Sequence, residues 1–291
     1  MELIDGKNIA EQIRSEIATE VRKMIDADQK VPHLGAIMVG EDTASMTYVA
    51  NKEKDCKEVG FISSVYKYPE TISEKDLLAS IEFLNNDEEI DGFIVQLPLP
   101  AHISTNKVIA AIKPEKDVDG FTPVNIGNMT LNLPSYISAT PYGIMQLLQR
   151  SGVETEGKHC VVVGRSNIVG TPVSILMSRN NIKANATVTL CHSKTNNLKE
   201  ICLTADILIA AIGKPEFIKA DMVKEGAVVI DVGIHRVPSS ESKSGFKLIG
   251  DVAFDEVSKK CSKITPVPGG VGPMTRVSLL MNTLKAAKKE I

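Results

Sequence analysis

The segment Cys160-Val-Val-Val-Gly-Arg-Ser-Asn-Ile-Val-Gly-Thr-Pro172 decides the fold of the second half of the chain. An apolar run leads into a glycine turn, and Thr171-Pro172 then favours the start of a helix with the threonine as its N-cap. We expect a buried strand, a tight turn and a helix whose N-terminus attracts a phosphate group. A tight turn without any ligand remains the alternative. The candidate cofactor contacts in the turn are Gly164, Arg165 and Ser166.

Short apolar runs alternate with helix-length amphipathic segments on both sides of this turn. Such alternation is typical of βαβ units around a parallel sheet. We predict an α/β protein with two domains and a cleft between them, in which ligands commonly bind. The first domain is expected to span residues 1–138 together with a C-terminal helix, 274–291. The second, a Rossmann-like domain, is expected over 139–273.

The end of the next predicted strand, Cys191-His-Ser-Lys-Thr195, indicates which dinucleotide this domain binds. In dinucleotide folds an Asp or Glu here binds the ribose of NAD, and this segment has no carboxylate. Arg165 and Ser193 suit a 2′-phosphate instead, so we predict NADP as the cofactor. For His192, a purely structural role at the strand end is an equal alternative to cofactor binding. Lys194 on its own fits a solvated surface lysine better than a cofactor contact.

Two further glycine-containing segments predict close approach of a ligand to the backbone. Val228-Val-Ile-Asp-Val-Gly-Ile234 is a predicted strand that ends in a glycine, where a cofactor ring can approach near Ile234. Val267-Pro-Gly-Gly-Val-Gly-Pro273 predicts a rigid loop with few side chains, suited to contact with a flat ligand and followed by the final helix. A plain interdomain hinge is the alternative for the second segment.

The predicted helix Thr43–Val59 in the first half of the chain has a lysine on its apolar face. At about 100° per residue, Tyr48, Cys56 and Val59 form one arc, and Lys52 lies in the middle of that arc. Burial lowers the pKa of a lysine, which makes Lys52 a candidate for proton transfer near neutral pH. A buried Lys–Asp pair without chemistry is the equal alternative.

Two more segments place polar groups where packing alone does not require them. Gln96 lies at the end of the predicted buried strand that starts at Asp91. The Leu-Pro-Leu-Pro sequence that follows stops this strand. The turn Lys113–Phe121 contains an Asp-Val-Asp-Gly sequence, for which a solvated turn is the alternative. A calcium loop is excluded because the twelve-residue ligand spacing is absent.

The amino-acid composition excludes several classes of protein. The 291 residues are 43% hydrophobic and 24% charged, which is typical of a globular protein, and the net charge of −3 does not indicate binding to nucleic acid or to a membrane. No apolar run reaches the ~20 residues of a membrane span. The five scattered cysteines form no C-x-x-C pair, so no metal site is expected. The N-terminus lacks a signal or transit sequence, and we expect a cytoplasmic protein.

Six segments together resemble the bifunctional methylenetetrahydrofolate dehydrogenase/cyclohydrolase family over essentially the whole chain. Each match is modest alone, but six in the same order are highly specific. The matching segments are Tyr48-Val-Ala-Asn-Lys52, Val95-Gln-Leu-Pro-Leu-Pro100, Lys116-Asp-Val-Asp-Gly-Phe121, Gly164-Arg-Ser-Asn-Ile-Val-Gly170, Cys191-His-Ser-Lys-Thr195 and Val267-Pro-Gly-Gly-Val-Gly-Pro273.

The resemblance implies roles for individual residues. Tyr48 would stack against the folate, Lys52 would be the catalytic lysine, and Gln96 would contact and tune that lysine. Asp119 would hold the pterin, while Gly272 and Pro273 would shape the folate site. Tyr48, Gln96 and Asp119 are thus expected with Lys52 in the catalytic set and among the substrate contacts.

The implied reactions are oxidation of 5,10-methylenetetrahydrofolate by NADP and hydrolysis of the methenyl product to 10-formyltetrahydrofolate. The family also implies tetrahydrofolate derivatives as substrates and a homodimer paired through the cofactor domain. Two other functions remain open from the sequence. One is a dehydrogenase-only member in which Lys52 merely orients substrate, and the other is a catalytically silent NADP-binding regulator.

Overall fold

The computed structural model describes residues 1–240, 242 and 245–291, and the chain divides into two compact units. The six-stranded unit comprises Met1–Ala10 and Thr140–Thr275. The three-stranded unit comprises Glu11–Ala139 and Arg276–Ile291. None of the helices in the described residues combines the length and apolar character that a membrane span requires.

The elements follow one another along the chain as short strands and mostly longer helices. The strands are β1 (Glu2–Leu3), β2 (His33–Val39), β3 (Ile62–Tyr68), β4 (Gly92–Val95), β5 (His159–Val163), β6 (Thr187–Cys191), β7 (Ile207–Ala210), β8 (Val228–Asp231), β9 (His235–Pro238), β10 (Phe246–Ile249) and β11 (Lys263–Ile264). The α-helices are α1 (Gly6–Asp26), α2 (Thr43–Val59), α3 (Glu74–Asn86), α4 (Thr105–Ala111), α5 (Pro123–Thr130), α6 (Ala139–Arg150), α7 (Gly170–Ser178), α8 (Leu198–Cys202), α9 (Phe254–Val257) and α10 (Val271–Ala287).

The six-stranded unit is built on a parallel sheet with the order β1-β11-β8-β7-β5-β6. β5 and β7 each have a neighbouring strand on both sides, and their residues Val161, Val162 and Leu208 are completely buried. A parallel strand covered on both faces requires such an uninterrupted apolar run. The predicted α/β class with a Rossmann-like C-terminal sheet is confirmed, and β9 and β10 add a separate antiparallel hairpin.

The three-stranded unit has a smaller parallel sheet with the order β3-β2-β4. Ile37 of β2 and Phe93 of β4 are completely buried in its core. Asn282 of α10 donates hydrogen bonds to the carbonyls of Val118 (2.8 Å) and Ile137 (2.9 Å). The last helix therefore fastens the turn that follows the third strand of this sheet.

The first ten residues differ from the boundary expected from the sequence, which assigned them to the N-terminal domain. They lie in the six-stranded unit because β1 pairs in parallel with β11, with Glu2 opposite Lys263. Lys7 N also donates to Gly269 O at 2.9 Å. A two-residue edge strand has no periodicity of its own, and its partner lies near the other end of the chain.

Candidate functional site

Both ends of α2 are fixed by capping, which sets the direction of every side chain on it. Asp42 Oδ2 accepts a hydrogen bond from Ser45 N at 2.7 Å at the start of the helix. Gly60 ends the helix in the left-handed conformation with φ of 87°. Lys54, which faces away from the sheet side, is 71% exposed, whereas Lys52 is half-buried. The helix therefore places Lys52 on its inner face.

Lys52 is held by Gln96, the residue that directly follows β4. Lys52 Nζ donates to Gln96 Oε1 at 3.2 Å, and Gln96 Nε2 donates to Leu97 O at 2.7 Å. Gln96 N in turn donates to Ile37 O at 2.9 Å, which continues the ladder of the sheet by one residue. The bond to the Leu97 carbonyl orients the amide so that its oxygen faces the lysine.

Asp119 is the charged partner of Lys52. Burial lowers the pKa of Lys52, and the negative charge of Asp119 opposes that shift. Burial likewise raises the pKa of Asp119 to about 6, although Lys52 lowers it. Within the described part of the chain the Asp119 carboxylate accepts no hydrogen bond, so its oxygens remain available to a ligand.

The first aspartate of the same turn has a different role. Asp117 is buried and accepts hydrogen bonds from Phe121 N (3.2 Å), Thr122 N (2.7 Å) and Asn125 Nδ2 (2.9 Å). These bonds close the turn and hold Thr122, the residue that caps the start of α5. Gly120 has φ of 70°, and a Cβ there would lie 2.7 Å from Tyr136 O. The turn is therefore a fixed structure, which the solvated-turn alternative does not describe.

Tyr48 lies one helical turn before Lys52 and is 46% exposed. The i,i+4 spacing places the two side chains next to each other on α2. The structure thus groups Tyr48, Lys52, Gln96 and Asp119 in the three-stranded unit, with direct contacts or electrostatic interactions joining the last three.

An ion cluster that the sequence did not reveal anchors α2. Asp55, buried and one turn after Lys52, lies 3.1 Å from Arg276 Nε of α10 and 3.9 Å from Arg14 Nη1 of α1. Burial raises the pKa of Asp55, and the two arginines lower it. A charged residue on the inner arc of the predicted helix was the available signal, but its partners are distant in sequence.

The glycine turn of the six-stranded unit is tightly packed. Gly164 has φ of 124°, and a Cβ there would lie 2.0 Å from Ala211 O. A Cβ at Gly170 would lie 1.9 Å from Gly164 O. Only glycine fits at both positions, because the turn, the end of β7 and the start of α7 are in contact. The predicted strand–turn–helix is present.

The start of α7 corrects one detail of the sequence prediction. The helix begins at Gly170, so Thr171 is not its N-cap and lies inside the first turn. Ser166 Oγ instead accepts hydrogen bonds from Val169 N (3.2 Å) and Gly170 N (3.4 Å). Thr171 Oγ1 donates to Arg165 O at 3.3 Å. The serine that replaces a fingerprint glycine thus orders the turn.

The remaining cofactor candidates lie at the carboxyl edge of the same sheet. Arg165 follows β5 and Ser193 follows the neighbouring β6, and both are exposed. Ile234 follows β8 and is 50% exposed. Ligands of open α/β sheets bind at this edge. A narrow glycine turn, an exposed arginine and the absence of a carboxylate at 191–195 fit a dinucleotide with a 2′-phosphate.

The two residues expected to shape the folate site lie in the six-stranded unit. Gly272 and Pro273 are in the first turn of α10, which begins at Val271 rather than after the loop as expected. Proline is compatible with the first turn of a helix because those N–H groups have no partner inside the helix. A Cβ at Gly272 would have no atom within 4 Å, so the backbone there is open.

Models of one protein family match both halves of the chain. The catalytic domain of the tetrahydrofolate dehydrogenase/cyclohydrolase family matches residues 4–119, and the NAD(P)-binding domain of the same family matches residues 138–291. The chain belongs to this family. The resemblance predicted from the six sequence segments is thereby confirmed.

Relatives of the tetrahydrofolate dehydrogenase/cyclohydrolase family match over the full length. The bifunctional protein FolD of Cytophaga hutchinsonii is 62% identical over 287 residues, which cover 99% of both chains. The crystal structure of the bifunctional FolD methylenetetrahydrofolate dehydrogenase/cyclohydrolase of Campylobacter jejuni is 44% identical, with a TM-score of 0.93 and 100% of both chains covered. The Trypanosoma brucei enzyme, solved with NADP cofactor and inhibitor, is 38% identical, with a TM-score of 0.92, covering 99% of this chain and 97% of that one.

Proposed function

We propose that this chain oxidises 5,10-methylenetetrahydrofolate with NADP and then hydrolyses the 5,10-methenyl product to 10-formyltetrahydrofolate. Membership of the tetrahydrofolate dehydrogenase/cyclohydrolase family supports both reactions. The single observation that favours two activities over a dehydrogenase alone is the hydrogen bond of 3.2 Å between Lys52 Nζ and Gln96 Oε1 beside Asp119. A silent NADP-binding regulator has no need of a half-buried lysine in this setting.

Lys52 is the proposed proton-transfer residue of the hydrolytic step. Because burial lowers its pKa, a larger fraction of the amine is neutral near pH 7 than for an exposed lysine. A neutral amine accepts a proton from the water that adds to the methenyl carbon, and the resulting ammonium returns that proton to the ring nitrogen as the C–N bond opens. The hydroxyl of the adduct releases its remaining proton to solvent as the formyl C=O forms. Gln96 Oε1 holds Nζ in place during both transfers.

Asp119 and Tyr48 are the proposed folate contacts. The carboxylate of Asp119, which interacts electrostatically with Lys52 but accepts no hydrogen bond from the described residues, is suited to accept hydrogen bonds from the N–H groups of a pterin ring. The half-exposed ring of Tyr48 offers a flat face for stacking. Gly272 and Pro273, in a stretch with little side-chain bulk, are proposed to contact the folate as well.

NADP, when bound, supplies the hydride acceptor for the first step. The residues proposed to hold it are Gly164 and Ser166 through the turn, Arg165 and Ser193 at the 2′-phosphate, and Ile234 through its backbone. Orientation of the two reactants is the main contribution that the protein makes to this transfer.

A homodimer and a cytoplasmic location stay predictions from the sequence resemblance. All five cysteines are free and buried, which accords with a reducing compartment. Sedimentation of the purified chain would measure its oligomeric state.

The experiment that tests the proposed function mixes purified protein with 5,10-methylenetetrahydrofolate and NADP. We expect NADPH and 10-formyltetrahydrofolate to form, each faster than without protein. NADPH formation with hydrolysis at the spontaneous rate would indicate a dehydrogenase-only member. NADPH binding with neither reaction would indicate a regulator.

A further inference from the structure

A completely buried carboxylate organises the backbone after β7. Asp251 lies two residues after β10 and accepts three backbone hydrogen bonds from consecutive residues. Its Oδ2 accepts from Ile212 N at 2.6 Å and from Gly213 N at 3.0 Å, and its Oδ1 accepts from Lys214 N at 3.0 Å. The segment 212–214 therefore has its N–H groups gathered on one side chain.

His235 completes the shell of donors around the same carboxylate. His235 Nε2 lies 2.8 Å from Asp251 Oδ1, close enough for the ring N–H to donate a hydrogen bond to the carboxylate oxygen. The histidine side chain is 20% exposed and directly follows Ile234. Asp251 thus connects the segment after β7 with the segment after β8.

A second buried aspartate holds Asp251 itself in place. Asp231, at the end of β8, accepts hydrogen bonds from Gly233 N (2.9 Å), Asp251 N (2.8 Å) and Val252 N (3.0 Å). A Cβ at Gly233 would lie 2.4 Å from Asp251 N, so no larger residue fits there. The two aspartates and the three backbone segments form one interlocked network inside the six-stranded unit.

The location of this network suggests more than stability. β7 and β8 are parallel neighbours in the sheet, and the residues after them lie at the carboxyl edge together with the glycine turn. Ala211, next to the Asp251-bound segment, is the residue whose carbonyl closely faces Gly164. A buried carboxylate is costly unless it is fully hydrogen-bonded, and here three of the four bonds to Asp251 fix backbone at the edge where dinucleotides bind.

We propose that Asp251 is a positioning residue for the dinucleotide cofactor. It fixes segment 212–214 directly and the backbone at Ile234 through His235, so that both segments hold their bound conformation before the cofactor arrives. Such preorganisation increases affinity because less conformational entropy is lost on binding. The proposal rests on the proposed function, in which NADP is the cofactor.

The main test uses Asp251→Asn in the full chain. Asparagine has the same size, but its NH2 group cannot accept a hydrogen bond, so one pair of donors loses its acceptor. We expect the Kd of NADPH, from fluorescence titration, and the KM for NADP to rise by about tenfold or more, with a smaller change in kcat. Amide exchange at 212–214 should become faster. Hydrolysis of methenyltetrahydrofolate, assayed without cofactor, should stay within about twofold of the parent rate.

A matched pair at His235 keeps the test decisive if the aspartate variant does not fold. His235→Gln retains a donor toward Asp251, whereas His235→Leu removes it. We expect the leucine variant to bind NADPH several-fold more weakly than the glutamine variant. Equal NADPH affinity in the leucine, glutamine and parent proteins would overturn the proposal.

A parallel loss of hydrolysis and dehydrogenation in Asp251→Asn would also overturn it, because that result indicates a general structural role. Failure of the proposed function has a different signature. A parent protein that binds NADPH but catalyses neither reaction refutes the function, while the NADPH Kd values still decide the role of Asp251.

Discussion

The two units present their functional groups in contrasting ways. In the three-stranded unit the candidate site centres on two partly buried charged side chains, Lys52 and Asp119. Each of them shifts the pKa of the other. In the six-stranded unit the candidate site is built around a backbone turn, with Arg165 and Ser193 beside it, and the two glycines of the turn leave no room for even a Cβ. Proton transfer requires a titratable group, whereas binding a phosphate requires N–H groups brought close. The first site is therefore sensitive to lost side chains, and the glycine turn of the second to added ones.

The largest effect is expected from removing the Lys52 side chain of the three-stranded unit. Lys52→Met keeps most of the volume and removes the proton carrier, so hydrolysis of methenyltetrahydrofolate should fall by about 10²-fold or more. Dehydrogenase turnover should fall less and remain measurable. The control is Lys54→Met on the exposed side of α2, which should hydrolyse at close to the parent rate.

The next largest effect is expected in the glycine turn of the six-stranded unit. Gly164→Ala adds a Cβ that would lie 2.0 Å from Ala211 O, at a residue whose φ is 124°. The turn must shift, and NADPH affinity measured by titration should fall by on the order of ten- to a hundredfold. Gly127→Ala serves as the control because a Cβ there meets no atom within 4 Å. NADPH affinity equal to that of the parent would show that the turn does not contact the cofactor.

The central feature of each site could be predicted from the sequence. The strand–turn–helix at 160–172 and the inward position of Lys52 follow from local apolar periodicity, and both were predicted. Helix α1 was not predicted, although its buried Ile13, Ile17 and Val21 have helical spacing. These residues share one helical face, so the sequence does carry the signal for this helix.

The remaining features could not be predicted because their partners are distant in sequence or are backbone groups. Asp55 meets Arg276 across more than two hundred residues, and Asp251 binds three N–H groups that no sequence pattern identifies. The cap at the start of α7 was assigned to Thr171 because cap residues usually lie next to the helix. Ser166 instead lies four residues before Gly170, the first residue of the helix, and accepts a hydrogen bond from Gly170 N.

A pH dependence separates the Lys52–Asp119 site from the backbone site. Burial raises the pKa of Asp119 to about 6, so the carboxylate form that accepts pterin hydrogen bonds is lost as the pH falls below that value. The folate Kd should therefore rise below pH ~6, by up to about tenfold per pH unit. NADPH binding should lack this particular inflection.

Asp119→Asn should remove the inflection and weaken folate binding at pH ~7 by on the order of ten- to a hundredfold. Calorimetry with a folate ligand at several pH values measures both effects. Glu115→Gln, an exposed carboxylate of the same turn, is the control and should retain the parent profile. The same inflection in Asp119→Asn and the parent would assign it to another group.

The smallest expected effect lies at the cofactor phosphate. Arg165→Ala should lower kcat/KM for NADP by about tenfold, the value of one charge-assisted hydrogen bond, and leave kcat/KM for NAD nearly unchanged. Lys199→Ala is the control, since that exposed lysine pairs with Asp221. Equal kcat/KM for NAD and NADP in the parent protein would contradict the NADP assignment.

The most direct measurement compares hydrolysis of methenyltetrahydrofolate and NADPH affinity in Lys52→Met and Gly164→Ala side by side. We expect opposite losses in the two variants. Lys52→Met should lose hydrolysis and keep the parent NADPH Kd, whereas Gly164→Ala should lose NADPH affinity and keep cofactor-free hydrolysis. If both variants lose both properties in the same proportion, or if Lys52→Met hydrolyses as fast as the parent, the division of chemistry between side chains and backbone is wrong.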